Sequence, residues 1–333
     1  MKNIYDIKNS KIFITGGAGF IATKIASILA NDNEIILYDN LHRNAYKNTS
    51  LSQHPNVKLV MGDVLDRDAL KEAMDPEVHY VLHCAAIAGV SSVLQDPIHT
   101  LKVNMEGTFH LFDILKSLKH LKRVLYISTS EVLGGIANNA KEFPVHPSIQ
   151  VTEPRWTYAI SKLAGELITH SYYLQKNLPT VTLRPFNIFG PNQVGVGAIH
   201  SFILQALSDE PLVIHNKGEQ IRSWCFIDDF VHGLLLAMSS ENAIGKTYHL
   251  GSPQNTNTIL QLAKQIIYLT QSQSSIEFKK INYEDVEVRI PNIDLARSEL
   301  LFEPRISLEE GLKQTIHWYE ARQTQSQLSA ILP

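Results

Sequence analysis

One short stretch constrains this chain more than any other: Thr15-Gly-Gly-Ala-Gly-Phe-Ile-Ala22, set between an apolar run and a helix-period segment. Lys11–Thr15 reads as a strand buried on both faces, and Phe20 to Ala30 as an apolar helix. Gly16 and Gly19 let the backbone turn tightly and bring peptide N–H groups at a helix N-terminus against an anion, where the helix dipole adds to their pull. A glycine-rich turn is a weak signal by itself. Flanked by strand and helix, it has the context that a dinucleotide pyrophosphate site requires. Ala22 stands where a third glycine often does and is small enough for close helix–strand packing.

The pattern then repeats. Glu34–Asp39, Val57–Met61, Tyr80–Cys84, Arg123–Ser128 and Thr180–Arg184 read as further buried strands. Helical segments separate most of them, notably Ile98–Leu118, with Asp96 as N-cap and Pro97 at the first helical position, and Trp156–Gln175. This alternation predicts an α/β fold with a doubly wound parallel sheet and right-handed crossovers. After Pro185 loops lengthen, and helices are expected at Ser201–Ser208, Asp228–Met238, Thr258–Thr270 and Ser307–Arg322, two of them with capping-box spacing (Thr258…Gln261, Ser307…Glu310). We therefore divide the chain into a dinucleotide-binding domain at 1–185 and a smaller α/β substrate lobe at 186–333, some of whose segments return to the sheet. The tail Gln323–Pro333 is expected to fray.

Asp39 ends the second strand about 20 residues after the glycine turn, where an acid hydrogen-bonds the adenosine ribose. A carboxylate there repels a 2′-phosphate, so NAD is expected rather than NADP, although Arg43 nearby weakens the preference. Asp63, after the third strand, is placed to meet the adenine.

Charge and composition remove other classes. Thirty Lys and Arg against 33 Asp and Glu give the 333 residues a net charge of −3, so neither nucleic acid nor an anionic membrane has electrostatic support as a partner. Met1–Ser10 is polar with no signal-peptide core, and Val81–Leu94 is too short to span a bilayer. Two cysteines, Cys84 and Cys225, suit a reducing compartment, and a cytoplasmic location is expected. The 14 histidines show no metal-ligand spacing with Cys or Asp, so no metal is expected. Ser128-Thr129-Ser130 lacks the Gly-x-Ser-x-Gly frame of a nucleophile elbow.

Tyr158-Ala-Ile-Ser-Lys162 puts a phenol and an ammonium on one helix face. A tyrosine normally keeps its proton to pH ~10. A nearby cation, with the positive nicotinamide, favours the phenolate, which can take a proton from a substrate hydroxyl while the carbinol carbon gives hydride to NAD⁺. Spacing alone also fits an ordinary amphipathic helix. The context decides otherwise, because Ser128–Gly134 follows the fifth strand at the carboxyl edge, where open α/β sheets bind ligands.

Taken in order, Thr15–Phe20, Asp39, Asp63, His83-Cys-Ala-Ala86, Val103–Thr108, Ser128–Gly134, Tyr158…Lys162, Arg184–Pro191, Gln220–Asp229 and Arg289-Ile-Pro-Asn-Ile resemble the extended short-chain dehydrogenase/reductases of the nucleotide-sugar epimerase/dehydratase/decarboxylase group. The resemblance spans nearly the whole chain. It implies a Rossmann domain and a nucleotide-diphosphate sugar, a UDP-sugar being favoured. It implies that NAD is held by Gly16, Gly19, Phe20, Ile21, Asp39, Asn40, Asp63, Val64, Ala85, Ala86, Asn104, Ser128, Tyr158 and Lys162. Thr129 would bond the sugar O4, Tyr158 would be the C4 base and Lys162 would tune it. Ser130 would lie by the sugar, and Asn187 and Arg222 by the phosphates. The family also pairs through helices corresponding to Ile98–Leu118 and Trp156–Gln175, implying a homodimer.

Enzymes of this group diverge after C4 oxidation. Glu131 supplies the carboxylate that chemistry at C5 needs, and Thr129-Ser-Glu131 resembles UDP-glucuronate decarboxylases and GDP-mannose-type 4,6-dehydratases more than simple 4-epimerases. Arg289 is then the expected cation for a sugar carboxylate. The alternatives left open are a 4-epimerase and, in another class, a non-catalytic NAD(H) sensor. Leu133 stands where the family usually has Tyr, and Trp156 is an unusual neighbour of Tyr158, so an altered pocket wall is expected.

Overall fold

The protein is described from a computed structural model covering residues 5–145, 149–195 and 197–331; Met1–Ile4, Leu332 and Pro333, parts of the expected polar start and frayed tail, lie outside the described residues. Seven parallel strands form the central sheet in the spatial order Thr247–Leu250, Thr180–Pro185, Arg123–Ile127, Tyr80–His83, Lys11–Thr15, Glu34–Asp39, Val57–Met61. The order reverses between Lys11–Thr15 and Tyr80–His83, which pair directly, and the crevice at their carboxyl ends is where doubly wound sheets bind ligands. The strands are apolar because helices cover both faces: Ile12, Ile14, Leu82 and Leu125 pack into one core, Phe13, Val81 and Val124 into the other.

The seventh strand, Thr247–Leu250, comes from the C-terminal half and pairs with Thr180–Pro185. The remaining sheet of note joins Thr256–Thr258, Ile221–Ser223, Val288–Pro291 and Ile136–Ala140, four segments far apart in sequence. It brings the turn after Arg123–Ile127 against the C-terminal half. The expected helices form with small shifts: Ala198–Leu207, Ile227–Ser239, Ile259–Thr270 and Leu308–Ile331. Thr258 and Gln261 close a full capping box. The last helix runs to Ile331, so the backbone expected to fray after Arg322 is helical instead.

The segment expected as one helix from Ile98 is interrupted. Asp96 caps Pro97–Leu101 through the His99 amide, a π-helical turn follows at Lys102–Glu106, and Gly107–Leu115 resumes the α-helix. The bulge is a common device for re-aiming a side chain. Here the side chain is Asn104, discussed below. No described helix is long and apolar enough to cross a membrane.

Candidate active site

A cavity of about 340 Å³ lies over the carboxyl edge of the sheet, lined by Gly16, Gly19, Phe20, Ile21, Asp39, Asn40, Asp63, Val64, Ala85, Ala86, Ser128, Tyr158 and Lys162 among others. Gly16 has φ +66°, and a methyl group there would stand 2.6 Å from the Ala85 amide nitrogen, so the turn admits only glycine. Gly19 opens the helix Phe20–Leu29 with no capping side chain and no acid in its first turn. Its N-terminal amides thus face the cavity side of the turn without an internal anion, which fits a pyrophosphate. Asp39 accepts from the Ala18 amide (3.1 Å) and the Leu41 amide (2.6 Å), fastening the strand end to the glycine turn. Asn40 donates to Asp63 at 3.0 Å. These residues fit NAD: backbone donors for the diphosphate, and carboxylates for the adenosine end.

One expected cofactor contact is corrected. Asn104 is 1% exposed and off the cavity wall. It accepts from the Ile87 amide and donates to the Ile87 carbonyl and the Ser161 hydroxyl. Both amide donors and one acceptor position tie the loop after Tyr80–His83 to the helix Thr157–Lys176, and the π-turn aims the side chain there.

Tyr158 and Lys162 share the first turns of the helix Thr157–Lys176. The Lys162 ammonium sits 4.2 Å from the Tyr126 ring centroid, and burial pulls its pKa down to about 8. The Tyr158 phenol is pushed well above its usual range, first by burial and then by the Glu131 charge, while a hydrogen bond with Thr129 and the charge of Arg43 pull it back. A cation that acts on this phenol is Arg43, whose guanidinium reaches the Ala88 carbonyl across the cleft. Ser128 donates to Glu166, which Arg184 grips with Nε at 2.8 Å and Nη2 at 2.6 Å in a buried pair under the site. The sequence names Arg43 only for its effect on the choice between NAD and NADP, not for the phenol, and does not single out Glu166; nothing in their local spacing marks these meetings.

Tyr158 also lines a second cavity of about 730 Å³, with Glu131, Arg155, Asn187, Gln193, Gln205, Arg222, Trp224 and Asp285 on its wall. Seven buried side-chain polar atoms lack a partner among the described residues, and those of Arg155, Gln193, Gln205, Gln220 and Trp224 belong to this wall. Buried polar atoms are rarely left unpaired, and five of these seven belong to residues that line this one cavity. Thr129 caps the turn Ser130–Leu133 and accepts from the Glu131 amide at 3.2 Å, orienting Glu131 toward Arg155. Arg155 Nη1 meets Glu131 Oε2 at 2.7 Å and Nη2 meets Oε1 at 3.4 Å. Burial raises the Glu131 pKa, but Arg155, Arg289 and Arg222 outweigh it and hold the carboxyl below its usual range. Asn187, at φ +43°, donates to the Ser223 carbonyl at 2.7 Å. Arg222 is anchored by the Val286 carbonyl at 2.6 Å and by Asp285 at 3.5 Å.

Two expected substrate contacts are corrected. Arg289 is 2% exposed and off the wall; its Nη1 donates to the Ser130 carbonyl at 2.6 Å and its Nη2 to the Gly134 carbonyl. It staples the Ser130–Leu133 turn from behind rather than facing a sugar. Ser130 is buried and likewise off the wall. The cation that does face the cavity beside Glu131 is Arg155, three residues before Tyr158, which the sequence reading did not single out. Trp156, expected on the pocket wall, is fully buried, donates to Glu284 at 3.0 Å and carries Arg155 over its ring at 4.6 Å. Leu133 is off the wall as well.

A nucleotide cleft and a polar cavity that meet at one tyrosine define a dinucleotide-dependent enzyme acting on a polar small molecule. Residues 12–251 match the model of the NAD dependent epimerase/dehydratase family, and the chain belongs to that family. It is 33% identical to UDP-glucuronic acid decarboxylase 1 of Xenopus tropicalis, over 96% of this chain and 74% of that protein. It is 31% identical to the UDP-N-acetyl-alpha-D-glucosaminuronate decarboxylase of Bacillus cytotoxicus, over 93% and 97%. Among solved structures, UDP-glucuronic acid 4-epimerase of Bacillus cereus, in complex with UDP-glucuronic acid and NAD, superposes with a TM-score of 0.84 at 27% identity, covering 94% of this chain and 99% of that one. The protein is an NAD-dependent enzyme acting on nucleotide sugars.

Proposed function

We propose that the protein decarboxylates a UDP-hexuronate by way of its 4-keto form. The observation that carries this reading is the Glu131–Arg155 pair in the larger cavity, with Arg222 on the same wall. Two inward cations suit a ligand with both a diphosphate and a sugar carboxylate. A 4,6-dehydratase would ask Glu131 to pull a proton from C5, yet Arg155 holds that carboxylate in its least basic state. A 4-keto uronate is a β-keto acid and loses CO₂ without a base, so an ionised, paired Glu131 is no obstacle.

Bound in the first cavity, NAD would supply the hydride acceptor and donor that oxidation and later reduction at the sugar C4 require. Thr129 and Tyr158, hydrogen-bonded to each other, take the O4 proton; Lys162 and Arg43 supply the positive field that makes the phenolate accessible; Arg222 and Asn187 hold the diphosphate. Two relatives act on UDP-linked uronates and the solved epimerase binds one, which supports the substrate class.

The test is incubation with UDP-glucuronate and with UDP-, GDP-, CDP- and dTDP-hexoses, read by mass spectrometry. The expected result is CO₂ lost from UDP-glucuronate alone. Loss of water from a neutral hexose, or isomerisation of the uronate without CO₂ release, would replace this reading. We also propose that two copies pair through the face carrying Ile98, Leu101, Leu167 and Leu174, apolar side chains left exposed on neighbouring helices; light scattering at the mass of one chain would exclude it.

A further inference from the structure

We propose that Arg155 is the residue that selects an acidic sugar, and that it does so by exchanging carboxylates: the substrate's C6 carboxylate displaces Glu131 from the guanidinium, and the released Glu131 picks up the proton later needed at C5. This rests on the decarboxylase reading above and deepens it.

Three observations lead here. Arg155 is 4% exposed yet forms part of the cavity wall, so any ligand group it meets is bound in a desolvated place. Its Nε–H has no acceptor among the described residues, so Glu131 satisfies the guanidinium only in part. The Trp156 ring under it, itself fully buried and tied to Glu284, fixes the plane of the fork. A rigid, incompletely paired guanidinium is suited to receive a second carboxylate. The other cations near Glu131 are committed elsewhere: Arg289 to the Ser130 and Gly134 carbonyls, Arg222 to the Val286 carbonyl and Asp285.

Glu131 faces Arg155 from the turn after Arg123–Ile127, Arg222 and Arg289 from the neighbouring sheet strands, and the Tyr158 phenol from the helix Thr157–Lys176; Asp285 and Tyr283 act on Arg155 from the loop before Val288–Pro291. When a substrate carboxylate takes over the fork, Glu131 loses its main counter-ion, keeps its half-buried place with only Arg289 and Arg222 still acting on it, and gains a like charge beside it; desolvation and that repulsion favour uptake of a proton. The chemistry then balances. The C5–C6 bond breaks, its electron pair goes into the enolate formed with the 4-keto group, and CO₂ departs. The Glu131 proton is delivered to C5, and the carboxylate returns to Arg155. Each turnover takes one proton from solvent through Glu131.

Binding is the clean readout. Dissociation constants for UDP-glucuronate and UDP-glucose are measured calorimetrically on NAD-loaded protein carrying Tyr158→Phe to stop turnover, in two buffers of different ionisation enthalpy, each further substitution being added to that background. This background should favour the uronate and take up close to one proton per uronate bound, and none with UDP-glucose. Arg155→Leu should lose about tenfold or more of the uronate preference, the equivalent of ~1.4 kcal/mol or more, and leave UDP-glucose affinity unchanged. Arg155→Lys should recover part of it. Glu131→Gln should keep or tighten uronate binding, because the competitor is gone, and abolish the proton uptake. Unchanged preference in Arg155→Leu, or proton uptake that survives Glu131→Gln, overturns the proposal. Should Arg155→Leu fail to fold, Arg155→Lys and Glu131→Gln decide it. The reading of the reaction fails separately, if the wild type releases no CO₂ from UDP-glucuronate.

Discussion

The two cavities that meet at Tyr158 are built by different means. The cofactor cleft is mostly backbone: a glycine turn, a helix N-terminus and the ends of consecutive strands, with Asp39 fastened to the turn it helps shape. The substrate cavity is mostly side chains, drawn from the turn after Arg123–Ile127, the loop before Thr157–Lys176, and strands as distant as Ile221–Ser223, with unpaired polar atoms left on its wall. A backbone cradle suits a ligand that never changes. A side-chain cavity suits one that differs between relatives, and the relatives of this chain do differ in what they act on. Fold-level similarity therefore transfers to the first cavity far better than to the second.

Tyr158 belongs to both cavities, and its removal should have the largest effect. Tyr158→Phe should lower turnover by about 10³-fold or more, the range for losing a positioned proton acceptor, while bound NAD remains. Single-turnover reduction of NAD⁺ by a nucleotide sugar checks it. Full activity in the variant would sever the link between the cavities on which the mechanism depends.

What could be read from the sequence follows the same divide. The glycine turn, Asp39 and Asp63 are local signals, each a few residues from the strand that positions it, so spacing revealed them. Arg43, Arg155 and Glu166 act through partners contributed by other segments: the Ala88 carbonyl, the Glu131 carboxylate and the Arg184 fork. No period or spacing encodes such a meeting. Arg289 shows the converse error. An arginine in a family motif was expected to face the sugar, but the strand pairing of Val288–Pro291 with Ile136–Ala140 turns it onto the Ser130 and Gly134 carbonyls. Asn104 was misplaced for a similar reason, because a π-turn inside an otherwise regular helix re-aims one side chain without a clear mark in sequence.

Lys162 provides an intermediate effect and probes the floor of the cofactor cleft. Its folded-state pKa, about 8, lies below that of a free lysine. Between that value and the free-lysine value near ~10.4 the unfolded chain binds the proton more tightly, so stability rises with pH across the window. Below it the folded protein carries the cost of a buried ammonium, about 3 kcal/mol as an upper figure for a shift of roughly two units. Lys162→Met should therefore raise the melting temperature of the cofactor-free protein at pH 7, and the gap should close as pH rises toward 10. A gap that is constant with pH would mean that the ammonium is solvated or paired in the folded protein.

The smallest expected effect tests the backbone character of the cofactor cleft most directly. Asp39 uses both carboxylate oxygens on the Ala18 and Leu41 amides, and burial raises its pKa against the pull of those two donors. Asp39→Asn keeps the shape and one acceptor but loses the charge. If backbone donors supply most of the grip, NAD⁺ affinity should fall by only about tenfold, the equivalent of ~1.4 kcal/mol. The preference for NAD⁺ over NADP⁺ should shrink by a similar factor, because the repulsion of a 2′-phosphate goes with the carboxylate. Titration of both dinucleotides gives the two numbers independently. A loss of NAD⁺ affinity beyond a hundredfold would show that this side chain, not the glycine turn and helix terminus, dominates the cleft. An unchanged NAD⁺/NADP⁺ ratio would show that Asp39 serves the turn alone, with selectivity set elsewhere on the wall, which Arg43 also lines.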